Sequence, residues 1–216
     1  MKVWGYFRSS AAFRVRIALA LKGLEPEQAF VHLRKAEQRA PEYLAKNPLG
    51  LVPTLEDGPA TITQSLAICE YLDETQEGAP FLPADPVGRA RVRSIAYAIA
   101  CDIHPLNNLR VLLYLLKVLK IEKAAHDAWY RHWIAVGFEA LEKMLADGKA
   151  GRFCHGDAPT LADICLVPQV FNAKRFYKDD ELAVYPRLMA IFANCLAHPA
   201  FVKALPENQP DFDPAP

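Results

Sequence analysis

The sequence predicts a small mixed α/β domain followed by an all-helical domain. Strand and helix signals alternate through the first third of the chain. A stretch rich in Gly, Ala, Pro and Asp then runs from Gln76 to Pro86, and no strand signal recurs beyond it. The boundaries that follow are 1–78 for the sheet-bearing domain, 79–85 for a linker and 86–216 for the helical domain.

Lys2 to Phe7 is rich in Val, Trp, Tyr and Phe and short enough for a buried strand. Phe13, Ile17 and Leu21, flanked by Val15 and Leu19, then recur with helical spacing, and Gly23 supplies the left-handed residue that ends a helix. Gln28 to Leu33 alternates as a strand and Pro41 to Lys46 reads as a short helical piece. Thr54 to Glu56 and Thr61 to Thr63 read as strands around the turn Asp57-Gly58-Pro59. A helix from Ser65 to Thr75 buries Leu66, Ala67, Ile68, Tyr71 and Leu72. The order βαβαββα fits a four-stranded mixed sheet with helices on its faces.

In the second part, Asp85-Pro86 is an N-cap and first-turn pair. It starts a helix expected to reach about Lys120, kinked around Cys101 to Pro105 because Pro105 removes a hydrogen bond. A second helix, from Ala124 to Ala146, is expected to bury Trp129, Trp133, Val136, Ala140 and Leu141. A third starts at Thr160, where Thr160 and Asp163 form a capping box. Helices over Pro186 to Leu196 and Pro199 to Leu205 complete the domain, and the Pro- and Asp-rich tail after Pro206 is expected to pack poorly.

With 52% hydrophobic residues, the 216-residue chain has ample material for a core. Basic and acidic residues both number 25, so no global field attracts nucleic acid or a membrane surface, and an acidic ligand has to be held by locally placed arginines. The chain opens on a strand-like run without signal-peptide features, and its longest apolar run, Val111 to Leu119, is interrupted by Tyr and Lys. A cytoplasmic location is expected. The five cysteines (69, 101, 154, 165, 195) are scattered and never form CxxC, which argues against disulfides and against zinc. Cys101 and His104 have a ligand-like spacing that is more often structural.

The chemistry is expected where the first strand meets the first helix, at Arg8-Ser9-Ser10. Unpaired backbone N–H groups and the positive end of the helix dipole favour an anion there, and a serine hydroxyl adds a donor. An ordinary N-cap role for Ser10 remains the alternative.

The strings RSSAAFRVRIALALKG, NPLGLVPTL, TQSLAICEYL and GDAPTLADICLVPQVFNAKRF, in this order over essentially the whole chain, resemble the zeta class of cytosolic glutathione transferases, and CDIHPLNNLRVL is most similar to its bacterial maleylpyruvate isomerase branch. The resemblance implies a thioredoxin-like N-terminal domain, a homodimer, and glutathione as cofactor. It implies that Ser9 hydrogen-bonds the glutathione sulfur and that Val52, followed by a cis Pro53, pairs its backbone with the cysteinyl part. It also implies that Gln64 and Ser65 hold the γ-glutamyl carboxylate, although for Ser65 a simple cap stays open. The third residue of the usual Ser-Ser-Cys is Ala11 here, so a reactive cysteine is absent, while a serine-activated thiolate needs none.

Enedioate substrates carry a carboxylate at each end, which calls for guanidinium groups. Arg8 adjoins the serines, and Arg175 resembles the family arginine on the far wall of the substrate pocket. Arg110, His104 and Asn108 share near-helical spacing past the expected kink. Arg14, Arg16 and Arg152 align with no motif and read as solvated surface. Asp102 is a candidate for the glutathione amine, in its own or the partner subunit. The resemblance thus implies a glutathione-dependent isomerase of maleylpyruvate or maleylacetoacetate. A conjugating or dehalogenating transferase and a non-catalytic glutathione-binding module are the alternatives.

Overall fold

The computed structural model describes residues 1–214 and divides into two compact units. One comprises residues 1–81 together with the segment from Leu196 onward, and the other residues 82–195. The segment after Leu196, assigned from sequence to the helical domain, therefore clusters with the sheet.

The first unit carries β1 (Lys2–Gly5), α1 (Ser10–Leu21), β2 (Glu27–Phe30), α2 (Pro41–Leu44), β3 (Thr54–Asp57), β4 (Ala60–Thr63) and α3 (Ser65–Thr75). The strands lie in the order β2-β1-β3-β4, with β1 parallel to β2 and antiparallel to β3, and β3 antiparallel to β4. This is the expected βαβαββα mixed sheet. The second strand is shorter than the alternation of Gln28 to Leu33 suggested, because Leu33–Lys35 tightens into a 3₁₀ turn. Gly23 takes φ +69° and ends the first helix as the pattern required.

Helix α1 is buried on nearly every side. Ala12, Phe13, Val15, Ile17, Ala18 and Leu19 are all buried, since the helix packs against α3 and against α10 (Pro199–Lys203). A separate cluster in this unit comprises Tyr6, Phe7, Val31, Tyr43 and Val52, with Trp4 and Leu33 packed against it. The tail contradicts the expectation of poor packing. Asp211 accepts a hydrogen bond from the Phe7 N–H at 2.9 Å, and the Phe212 ring meets that of Phe7 edge-on at 5.5 Å.

The second unit is helical. The single helix expected from Pro86 to Lys120 is instead α4 (Pro86–Tyr97), a π-helical segment (Ala98–Ile103), a 3₁₀ turn (His104–Asn107) and α5 (Leu109–Lys117). Pro105 falls within the 3₁₀ turn, and Asn108, in extended conformation, caps α5 by accepting from the Arg110 N–H at 3.1 Å. The chain thus breaks and restarts where a kink was expected. It continues through α6 (Lys123–Met144), α7 (Leu161–Ala173), α8 (Asp179–Leu182) and α9 (Pro186–Leu196). The stripe that α6 buries is His126, Tyr130, Ile134, Phe138 and Leu141, so that of the expected set only Leu141 lies on it and Ala140 is exposed. Val136 is exposed, and the two tryptophans are half-buried.

Gly137 of α6 lies against Ile103 of the π segment. An added Cβ would lie 2.3 Å from Ile103 Cδ1 and 2.4 Å from its Cγ1. Gly137→Ala is expected to lower stability by about 1 kcal/mol net, as overpacking of 1–3 kcal/mol outweighs the helix-propensity gain of about 1 kcal/mol. Urea denaturation that shows the variant as stable as the parent would mean that Ile103 moves aside freely.

Candidate active site

In the first unit, Ser9 and not Ser10 is the N-cap of α1. Its backbone is extended, and its Oγ accepts the Ala12 N–H at 3.2 Å. Because that N–H occupies a lone pair of the oxygen, the Ser9 O–H remains free to donate. Ser10 is the first helical residue and is buried. Arg8 lies half-buried in the turn before it and forms no ion pair among the described residues.

The turn that carries Arg8 and Ser9 is held from behind by Arg16. Its guanidinium donates to the carbonyls of Phe7 and Ala204, both at 3.0 Å, and to that of Tyr6 at 3.4 Å. Burial lowers its pKa to about 10, opposed by the nearby Asp211 carboxylate. Arg16 is therefore a staple between the β1–α1 turn and the C-terminal segment, where the sequence suggested a solvated side chain. No motif flagged it.

The loop before β3 ends in the one cis peptide among the described residues, Val52–Pro53. Both residues are buried. Neither backbone group of Val52 is paired among the described residues, which leaves an N–H and a C=O for the backbone of a ligand. After β4 the chain turns through Gln64, whose φ of +71° is unusual for a residue with a side chain, and enters α3 at Ser65. The Ser65 Oγ accepts from Arg14 Nη1 at 3.2 Å, so this hydroxyl too has its hydrogen left to donate. Arg14 itself is only 2% exposed, against the surface role read from sequence.

In the helical unit, His104, Asn108 and Arg110 come together as their spacing suggested. The Asn108 amide oxygen accepts from the Arg110 N–H, which orients its Nδ2 to donate to His104 Nε2 at 3.2 Å. Asp102 is exposed on the π segment, and the Arg110 side chain is exposed at the start of α5. Arg175 follows the end of α7 and donates to Asn172 Oδ1 at 3.4 Å. The residues after it are anchored on α6: Phe176 stacks on Tyr130 at 3.7 Å, and the Tyr177 hydroxyl donates to the Arg131 carbonyl at 2.6 Å. No cluster of His, Cys, Asp and Glu suited to a metal exists among the described residues. No helix there is long and apolar enough to cross a membrane.

The open serine hydroxyls, the free Val52 backbone and two helix N-termini fit a thiol tripeptide with a carboxylate at one end. The family models for the glutathione S-transferase N-terminal and C-terminal domains match residues 1–74 and 127–194. A probable maleylacetoacetate isomerase from Vibrio cholerae is 48% identical over 97% of each chain. A solved holo structure of a maleylpyruvate isomerase, described as a bacterial zeta-class glutathione S-transferase, superposes with a TM-score of 0.94 at 46% identity, covering 99% of this chain and 100% of that one. A maleylacetoacetate isomerase from Methylobacterium extorquens AM1, solved with bound malonate and glutathione, gives a TM-score of 0.94 at 42% identity with the same coverage. The chain belongs to the glutathione S-transferase family, in its zeta class with the maleylacetoacetate and maleylpyruvate isomerases.

Proposed function

We propose that this chain is a glutathione-dependent cis–trans isomerase that converts a small enedioate, maleylpyruvate or maleylacetoacetate, to its fumaryl isomer in aromatic-compound catabolism. It acts as a cytoplasmic homodimer. The observation that carries this reading is the pair of serines at the starts of α1 and α3, each with its oxygen already accepting an N–H and its own O–H free to bind an anion.

Bound glutathione supplies a nucleophilic sulfur that adds reversibly to the cis double bond, so that the bond rotates before elimination restores the alkene and the thiol. The Ser9 O–H and the α1 N-terminus favour the sulfur as thiolate, and with it the fraction of nucleophile at neutral pH. Val52 pairs its backbone with the cysteinyl residue, and Gln64, the Ser65 hydroxyl and the α3 N-terminus hold the γ-glutamyl carboxylate. Asp102, His104 and Asn108 add polar contacts to glutathione, Asp102 to its amine. Arg8, Arg110 and Arg175 bind the carboxylates of the substrate and the negative charge that develops on addition. Ala11 leaves the thiolate of glutathione as the only sulfur nucleophile in this reading.

Assays of both enedioates with and without glutathione test the proposal. Turnover that requires glutathione and leaves its concentration unchanged is expected. Stoichiometric loss of glutathione would instead make the protein a conjugating transferase. Arg8→Met and Arg175→Met are each expected to cost dicarboxylate turnover about 2–4 kcal/mol in transition-state binding while sparing conjugation of a neutral electrophile. Equal losses on both substrates would remove the arginines from specificity.

A further inference from the structure

Arg14 is the largest fully buried side chain among the described residues, at 2% exposure. Among the described residues it forms no ion pair, and its only hydrogen bond runs from Nη1 to Ser65 Oγ at 3.2 Å. Its Nε and Nη2 are buried without partners. A guanidinium donates and never accepts, so Ser65 can answer it only with a lone pair, and the Ser65 O–H is thereby committed to another acceptor. The fold also places a positive charge, with no ion-pair partner among the described residues, beside the first residue of α3, where the backbone N–H groups are already unpaired. An uncompensated buried cation is costly, and a bound carboxylate relieves that cost.

We propose that Arg14 is a positioning residue for the free carboxylate of the glutathione γ-glutamyl group: it turns the Ser65 hydroxyl into a donor and supplies the charge that this carboxylate neutralises. The proposal rests on the reading of Ser65 as the carboxylate site.

The test is equilibrium binding of glutathione and of an analogue in which 4-aminobutyrate replaces the γ-glutamyl residue, so that the carboxylate at that end is lost and the amine is kept. Arg14→Met is expected to weaken glutathione about tenfold or more, the scale of a charge-assisted hydrogen bond, and to weaken the analogue less than twofold. The KM for glutathione should rise in step while kcat at saturating glutathione stays within about twofold. The melting temperature should not fall, because a buried charge without an ion-pair partner has been replaced by an apolar chain of similar length. Ser65→Ala should also weaken glutathione, and adding Arg14→Met to it should cost less than Arg14→Met costs alone, since the part of the Arg14 effect that passes through that hydroxyl is already gone. Equal weakening of both ligands, or a fall in kcat, would reduce Arg14 to a structural role and overturn the proposal. A Ser65→Ala variant that binds glutathione normally would overturn the Ser65 reading first, which is a separate result. If Arg14→Met does not fold, Arg14→Lys decides, with a loss confined to glutathione in favour and a loss shared by the analogue against.

Discussion

Ser9→Ala is expected to lower isomerase turnover by about 10²-fold, the scale of removing one preorganised donor from a developing or resident anion. The hydroxyl has two roles, because Ser9 Oγ also caps α1 by accepting the Ala12 N–H. Loss of the cap should cost a further ~1 kcal/mol of stability, which leaves the protein folded. Ser9→Thr separates the two effects, since threonine caps and donates from a similar position. Spectroscopic titration of bound glutathione should show its thiol pKa raised in Ser9→Ala and little changed in Ser9→Thr. An unchanged thiol pKa in the alanine variant would pass the role to Ser10.

The largest expected effect on folding falls on Asp163. This carboxylate is fully buried, and it accepts from the Cys154 N–H at 2.7 Å and from the Thr160 N–H and hydroxyl at 2.8 and 2.7 Å. With Thr160 it completes the capping box that starts α7, the helix from whose end Arg175 follows. Burial raises its pKa, opposed by those hydrogen bonds. Asp163→Ala strands two buried N–H groups and a hydroxyl, each worth about 1–3 kcal/mol when left unpaired, so a total loss of roughly 4 kcal/mol is expected. Asp163→Asn keeps the shape and only part of the accepting capacity, and should lose about half as much. Urea midpoints measure both. A loss below about 1 kcal/mol for the alanine variant would mean that the α7 start repacks around water.

This capping box, together with the limits of α3 and α9, was legible in the sequence because each depends on a few neighbouring residues. Gln64-Ser65 marks one start and Pro186 the other. The α6 stripe was misread because Trp129 and Trp133 look like core residues. They instead contact each other edge-on at 5.8 Å half-exposed, with Trp129 Nε1 donating to the Leu106 carbonyl at 2.9 Å. The true stripe includes a histidine, His126, which a hydrophobic pattern does not count. At the candidate site, the motif residues could be found by resemblance, while Arg14 and Arg16 could not. A signal for them did exist: apolar residues at 12, 13, 15, 17, 18 and 19 leave α1 no solvent-facing side, so a charge at 14 or 16 had to be buried or to reach out past its neighbours.

The partners of the Ser9 turn come from far along the chain: Phe7 bonds to Asp211 across 204 residues, and Arg16 to Ala204 across 188. During synthesis, the sheet and α1 can assemble early from local contacts, but the turn that presents Arg8 and Ser9 lacks its backing until the stretch around 204–212 has been made. A fragment ending at residue 81 would carry every serine and glutamine named here without the clamp that holds the first of them in place. Glutathione binding during translation would therefore report not the appearance of the proposed ligating residues but the return of a segment that holds none of them.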